Sequence, residues 1–196
     1  YNTLDSIIWM IQSKKYEGAG KMVSMLAKFF RISLSQGRDI IPLQKELEHA
    51  VSYLSIQNVR FQDKFTFTVD WDEKLADCLC PKLVIQPLLE NAVYHGMEGM
   101  YEDGEIQLKI YAVNELVHID VIDNGEGMTE AQVQKMMQGD VVSSKRGSGI
   151  GVKNVNDRIK LYFGEAYGVQ IISAPDEGTT ARIYFPMRRQ EDETEK

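Results

Sequence analysis

The stretch Gln86-Pro87-Leu88-Leu89-Glu90-Asn91-Ala92-Val93-Tyr94-His95-Gly96 reads as an apolar helix whose polar groups, Glu90, Asn91 and His95, fall at neighbouring or i,i+4 positions. Asn91 is suited to offer its side-chain oxygen to a hard cation such as Mg²⁺ that bridges to phosphates. An asparagine inside an apolar helix also serves as a satisfied core polar group or a local bend. Further on, Asp123-Asn124-Gly125-Glu126-Gly127-Met128 follows the alternating run 117–122, so a strand delivers an aspartate into a glycine turn. A carboxylate there can accept from an exocyclic amine, which favours adenine over guanine. Gly125 and Gly127 let backbone approach a flat ring. The third stretch, Gly147-Ser148-Gly149-Ile150-Gly151-Val152-Lys153, is a glycine loop opening a helix, where free N–H groups and the helix dipole stabilise phosphate. Such glycine spacing also occurs in plain turns. Taken in order, the three stretches point to one adenine-nucleotide pocket.

Elements that would position these groups can be read from periodicity. Phe65, Phe67 and Val69 alternate with polar residues as in a strand, and Pro81 is expected to open the Asn91 helix. Residues 104–112 and 116–122 alternate around a short turn at 113–115 and read as an antiparallel hairpin. Residues 128–151 form a candidate lid, with a helical piece at 129–138 that Thr129 caps. In its polar part Lys145 and Arg146 either neutralise phosphates or are simply solvated. Residues 152–163 read as a helix ended by Gly164, and 169–174 and 179–185 as two strands around a turn at 175–178. Helices on one face of a mixed, mostly antiparallel sheet make an α/β sandwich, and its open face is expected to carry the nucleotide.

The first sixty residues are helical. Leu4, Ile7, Ile8 and Ile11 repeat at helical spacing from the start, so this helix is expected to extend upstream of Tyr1. Residues 13–20 break it, and Met22, Met25, Leu26 and Phe29 mark a second helix. Two such helices cannot bury their apolar stripes alone, so pairing with a second copy into a four-helix bundle is expected. Pro42 starts a third helix at a position where its missing N–H costs nothing, with Leu43, Leu47, Ala50, Leu54 and Phe61 on its buried face. His49, among Lys45, Glu46 and Glu48, reads as solvated, and His118 as an outward-facing strand residue.

Composition bounds the rest. Among 196 residues, 43% are hydrophobic, enough for a real core, and no apolar run reaches membrane-spanning length. A net charge of −7 argues against a nucleic-acid binder. Cys78 and Cys80, one residue apart with no His or Cys cluster nearby, read as thiols with a structural or incidental role in a reducing compartment rather than a metal site or a disulfide.

The three stretches resemble the N box and two glycine boxes of the ATPase superfamily that contains gyrase, Hsp90, the histidine kinases and MutL. More narrowly, Gln-Pro-Leu-Leu-Glu-Asn-Ala followed by His95-Gly96 resembles the LytS/YehU-type sensor histidine kinases. So does Tyr53-Leu54-Ser55-Ile56-Gln57-Asn58-Val59-Arg60-Phe61, and Tyr1-Asn2-Thr3-Leu4 matches the end of that family's Pro-His-Phe-Leu-Tyr/Phe-Asn-Thr-Leu opening. The resemblance implies an α+β chain: a helical hairpin at 1–62 that forms a four-helix bundle in a homodimer, a GHKL/Bergerat-type ATP-binding domain at 63–188, and a charged tail at 189–196. It implies ATP and Mg²⁺ as cofactors, with Asn91 the metal ligand, Asp123 the adenine reader, and Gly125, Gly127, Gly147, Gly149 and Gly151 the pocket and lid glycines. Thr179, in the terminal Gly-Thr element, would support the adenine site. His95 is either a phosphate or lid contact or a helix-end structural group.

The activity so implied moves the γ-phosphoryl of ATP to a histidine three residues before Tyr1, then to an aspartate on a response-regulator receiver domain. Such a chain would be the cytoplasmic portion of a membrane-anchored bacterial protein. Asn2, four residues after that histidine, would either orient water for dephosphorylation or be a helix-surface residue with no task. Two departures stand out. Pro87 occupies the place of the glutamate that orients water in ATP-hydrolysing relatives, and Glu90, rotated by about 100° per residue of helix, does not inherit that role. Tyr94 stands where many histidine kinases carry a lysine. The rival functions are a catalytically silent ATP-binding regulatory module and a protein-serine kinase of the anti-sigma type.

Overall fold

The computed structural model describes residues 1–34, 39–61, 64–96, 103–140 and 150–189, without the side chains of His95 and Gly96. Helices α1 (Asn2–Gln12) and α2 (Tyr16–Ser33) form the expected hairpin, but its turn is shorter than 13–20. Lys14 takes a φ of 60°, and the N–H groups of Lys14 and Lys15 bond back to Ile11 and Met10. Gly18 and Gly20 therefore lie inside α2. Each glycine costs a helix about 1 kcal/mol against alanine, which the burial of Ala19 and Met22 against Ile7, Met10 and Ile56 outweighs.

Helix α3 (Leu43–Arg60) serves two cores. Ile56 joins the hairpin cluster, whereas Leu43, Leu47, Ala50, Tyr53 and Leu54 enter the main core beneath the sheet. Strand β1 (Ile40–Pro42) precedes it and pairs antiparallel with β3 (Leu79–Pro81). The free N–H groups at the start of α3 are met by Cys78 and Ala76 carbonyls. Cys78 and Cys80 are buried, and neither is in a disulfide among the described residues.

Two expectations are corrected here. Pro81 ends β3 rather than opening a helix; α4 (Gln86–Asn91) begins five residues later, with Pro87 in its first turn. His49 is fully buried, not solvated. Its ring stacks on Phe29 at 4.3 Å, and its Nε2 lies 2.7 Å from Ser33 Oγ, which also donates to the Phe29 carbonyl. That chain places the proton on Nε2 and leaves Nδ1 without a partner among the described residues. Burial pushes the His49 pKa down to about 4, so the ring is neutral at ordinary pH.

Glu46, a charged neighbour of His49 in the sequence, is buried as well. Its Oε1 accepts from Val84 and Ile85 N–H at 2.8 and 2.9 Å and its Oε2 from Leu83 N–H at 2.8 Å. Leu83 has a φ of 59°, and Arg158 donates to the Lys82 carbonyl at 2.8 Å, so the approach to α4 is clamped from two helices.

The main sheet has the order β2 (Phe65–Trp71), β4 (Gly104–Val113), β5 (Leu116–Asp123), β7 (Thr179–Pro186), β6 (Gly168–Ser173) among the described residues. Only β2 and β4 pair in parallel, a pairing that needs the long crossover containing α4. The β4–β5 hairpin turns at Asn114 and Glu115, both at positive φ as a type I′ turn requires. Helices α5 (Glu130–Gln138) and α6 (Ile150–Phe163) join α3 and α4 on one face. Thr129 caps α5 with a capping box, as its sequence suggested. The other face carries Tyr111, His118 and Tyr184 in a ring stack beside a bidentate Arg182–Asp120 pair.

Glu46→Ala leaves three N–H groups without an acceptor, those of Val84 and Ile85 buried and that of Leu83 partly so. A loss of about 3 kcal/mol or more is expected in urea denaturation, and a loss below about 1 kcal/mol would show that the 83–85 segment rearranges freely.

Candidate functional site

Period two decides where Asp123 points. It shares a face with Val117, Ile119 and Val121, which are buried under the helices, so its carboxylate enters the space between sheet and helices. The expected placement on the open face is thereby corrected. Asp123 is 9% exposed; it accepts from Gly125 N–H at 3.0 Å and from the Thr179 N–H across the β5–β7 ladder. A carboxylate has about four acceptor sites, so capacity remains for a ligand. Burial outweighs the two N–H donors and pushes its pKa up to about 6.

The surrounding turn is braced from β6 and β7. Gly127 has a φ of +66°, and a Cβ there would sit 1.9 Å from the Ala174 carbonyl oxygen. Its glycine is thus required by the β6–β7 turn, whatever lies in the pocket. Gly178 likewise could not carry a Cβ, which would fall 2.1 Å from the Asp123 carbonyl oxygen. Ser173 Oγ accepts from Met128 N–H at 2.9 Å, donates to the Gly178 carbonyl at 2.8 Å and lies 3.0 Å from Thr179 Oγ1. Asn124 ties the other side, accepting from Glu105 N–H and donating to the Asp103 carbonyl. Ser173 and Asn124 were missed in the sequence: one ends an alternating strand and the other sits in a turn, where such residues are unremarkable. Asn124 within the Asp-Asn-Gly run was the available signal.

Asn91 closes α4, half-buried, and a π turn at Ala92–Gly96 continues it against β4 and β5. Pro87 faces the start of α6, 3.4 Å from where a Gly151 Cβ would lie. The structure therefore brings together Asp123, Gly125, Gly127 and Thr179, with Asn91 and Gly151 on the helices above them. Lys145, Arg146, Gly147, Gly149 and the side chain of His95 lie outside the described residues. Asn2 is exposed at the start of α1. Glu90 accepts from Gln86 Nε2 at 2.7 Å, and Tyr94 turns to α3, where its hydroxyl takes a hydrogen bond from Arg60.

A cleft lined by Ser24, Lys28, Arg31, Ile32, Ile41, Lys45 and Glu48 lies between α2 and α3. It contains none of these pocket residues and is a separate feature.

Comparison with known proteins gives the same picture. Residues 1–65 match the histidine kinase family model, and residues 77–189 match the model of histidine kinase-, DNA gyrase B- and HSP90-like ATPases. The sensor histidine kinase YesM of Bacillus subtilis is 36% identical over 97% of this chain and 31% of its own length. The sensor protein LytS of Bacillus anthracis is 33% identical over 90% of this chain and 30% of its own. The chain spans about a third of the length of the curated relatives it matches. Among solved structures, the catalytic domain of the histidine kinase ThkA superposes with a TM-score of 0.58 at 16% identity, covering 76% of this chain and 96% of that one. The Acinetobacter baumannii histidine kinase AdeS gives 0.56 at 14% identity over 93% of this chain and 85% of its own. At such identities these two likenesses concern the fold alone.

Because the folded Asp123 holds its proton more tightly than an unfolded aspartate, its contribution to stability is fully present below the ordinary pKa of 3.8 and is lost as pH rises through about 6. Asp123→Asn has no such loss. Its stability relative to the parent is expected to rise by about 2 kcal/mol between pH 4.5 and 7.5 in the ligand-free protein. A difference that does not change with pH in parallel urea titrations would place the titration elsewhere.

Proposed function

Since the chain belongs to the histidine kinase-, DNA gyrase B- and HSP90-like ATPases, we propose that it is the catalytic and dimerisation core of a sensor histidine kinase. The observation that carries this is Asp123, a buried carboxylate delivered by a strand into a glycine turn, with acceptor capacity to spare. Its ionised form would take the adenine amine. Asn91 would hold Mg²⁺; no group of three acidic, histidine or cysteine side chains able to cage a metal occurs among the described residues, which suits a cation held mainly by phosphate oxygens. When bound, such a cation would supply positive charge against the phosphates.

In the transfer, an imidazole nitrogen bonds to the γ-phosphorus, the bond from phosphorus to the β–γ bridging oxygen breaks, and the electron pair leaves with ADP. The imidazole proton goes to solvent. A second transfer to a receiver-domain aspartate follows. The protein's own residues contribute positioning and charge, which is most of what phosphoryl transfer demands. His49 is buried and His118 is stacked on the outer sheet face, so neither suits an acceptor that must meet a phosphate. We assign that role to a histidine on the helix that α1 belongs to, one turn before Asn2, and leave Asn2 as a candidate for dephosphorylation.

Dimerisation is supported by apolar residues left on the hairpin surface. Leu4, Ile8, Trp9, Ile11, Val23 and Phe30 are each about half exposed, and a second copy would cover them. No helix of the described residues is long and apolar enough to cross a membrane. The kinase core would act on the cytoplasmic side of a membrane-anchored sensor.

Asp123→Asn is expected to weaken ATP binding by about tenfold or more, because an amide is the poorer acceptor. Isothermal titration with unchanged affinity would remove Asp123 from the site. Asn91→Ala should act only when magnesium is present; an equal effect with and without the metal would deny it the ligand role.

The chain from Tyr1 is expected to bind Mg-ATP without labelling itself from γ-labelled ATP, whereas the same chain carrying the preceding helical turns acquires an acid-labile, alkali-stable label. Acid-labile labelling of the shorter chain would move the acceptor to one of the internal histidines.

A further inference from the structure

Arg60 ends α3 with a positive charge that no carboxylate neutralises at ion-pair distance among the described residues. Its Nη1 donates to Gln57 Oε1 at 2.8 Å and to the Tyr94 hydroxyl at 2.7 Å. The guanidinium carbon lies 4.7 Å from the Phe61 ring centroid and 5.5 Å from that of Tyr94. Fixing an arginine in this way costs about 2 kcal/mol of rotamer entropy, and it occupies the amide of the buried Gln57. Its hydrogen bonds to the described residues all use one nitrogen. The Nε and Nη2 donors, spaced to meet two oxygens of one phosphate, are unused by the described residues.

The location gives that unused edge a partner. Tyr94 lies three residues past Asn91, in the π turn that continues α4. The carbonyl end of a helix is negative, and the chain carries a net charge of −7, so a polyphosphate arriving at Asn91 needs a cation close by. Tyr94 itself has no charge to offer. A tyrosine is about as long as a lysine, and its hydroxyl stops one hydrogen bond short of the Arg60 guanidinium. A second group beside it is also unmatched: the Tyr53 hydroxyl is buried without a hydrogen-bond partner among the described residues, within electrostatic reach of Glu90, Tyr94 and Arg60.

We propose that Arg60, aimed by Gln57 and Tyr94, is a phosphate-binding residue of the nucleotide site, supplying from α3 the charge that Tyr94 lacks. The inference rests on the assignment of the pocket to ATP. The Tyr94 hydroxyl is then the holder of the cation rather than the cation.

The test compares ATP, by calorimetry, with adenosine, by ligand-observed NMR, on the parent chain, R60Q, R60K and R60Q/Y94K. R60Q is expected to weaken ATP by about tenfold or more, as loss of a charge-assisted pair implies, while adenosine binding stays within about twofold, because adenosine carries no phosphate for Arg60 to meet and its base is read by Asp123. R60K should lie between, keeping the charge without the fork. R60Q/Y94K should recover most of the ATP affinity, a rescue that a purely structural arginine would not allow. Parent-like ATP affinity in R60Q overturns the inference alone. Equal weakening of ATP and adenosine, with no rescue by Y94K, assigns Arg60 to packing and overturns it too. If R60Q does not fold, R60K decides by the same ratio of ATP to adenosine. A parent chain that binds neither ligand overturns the ATP assignment and the inference with it.

Discussion

Three hydrogen bonds to one buried carboxylate hold the site together. Glu46 reaches from α3 to the N–H groups of Leu83, Val84 and Ile85, the residues that lead into α4. They lie just before the first turn of a short helix, where backbone donors have no internal acceptor. Without an acceptor there, the start of α4 would be free to shift, and Asn91 at its other end would shift with it. Arg158 holds the adjacent Lys82 carbonyl from α6, so both helices that bound the candidate pocket meet at this segment. Burial pushes the Glu46 carboxyl above its ordinary range, against the pull of the three donors and Arg158.

Below the helices, the sheet supplies direction and the β6–β7 turn supplies rigidity. Asp123 points inward because it shares parity with Val117, Ile119 and Val121, and the ladder to Thr179 fixes its height. Gly127 and Gly178 let two turns close on each other at distances no side chain would permit. Ser173 then satisfies donors and acceptors from both turns with one hydroxyl. The carboxylate is thus preorganised by backbone and small side chains, with little left to rearrange when a ligand enters.

Helix α3 is common to both halves. One stripe of it lies in the main core, Ile56 packs in the hairpin, and His49 is stacked on Phe29 of α2. Its final turn carries Gln57 and Arg60 to Tyr94 beyond α4. A displacement of α2 therefore bears on the same helix that holds the start of α4 and touches its continuation.

What could be read from the sequence was whatever depends on local spacing. The alternation in β4 and β5, the Asn114–Glu115 turn, the Thr129 capping box, the stripe on α3 and the order of the three pocket stretches all follow from period and turn chemistry, which neighbours in the chain decide. The tertiary structure alone decided the fate of side chains whose partners are far away in sequence. His49 looked solvated because its neighbours are charged, yet a partner 16 residues distant makes it core, as partners 37 to 39 residues distant do for Glu46. Pro81 looked like a helix start, but pairing with Ile40 keeps it in a strand. The face on which Asp123 lies was misjudged for the same reason: alternation tells which residues share a side, and only packing tells which side the helices cover.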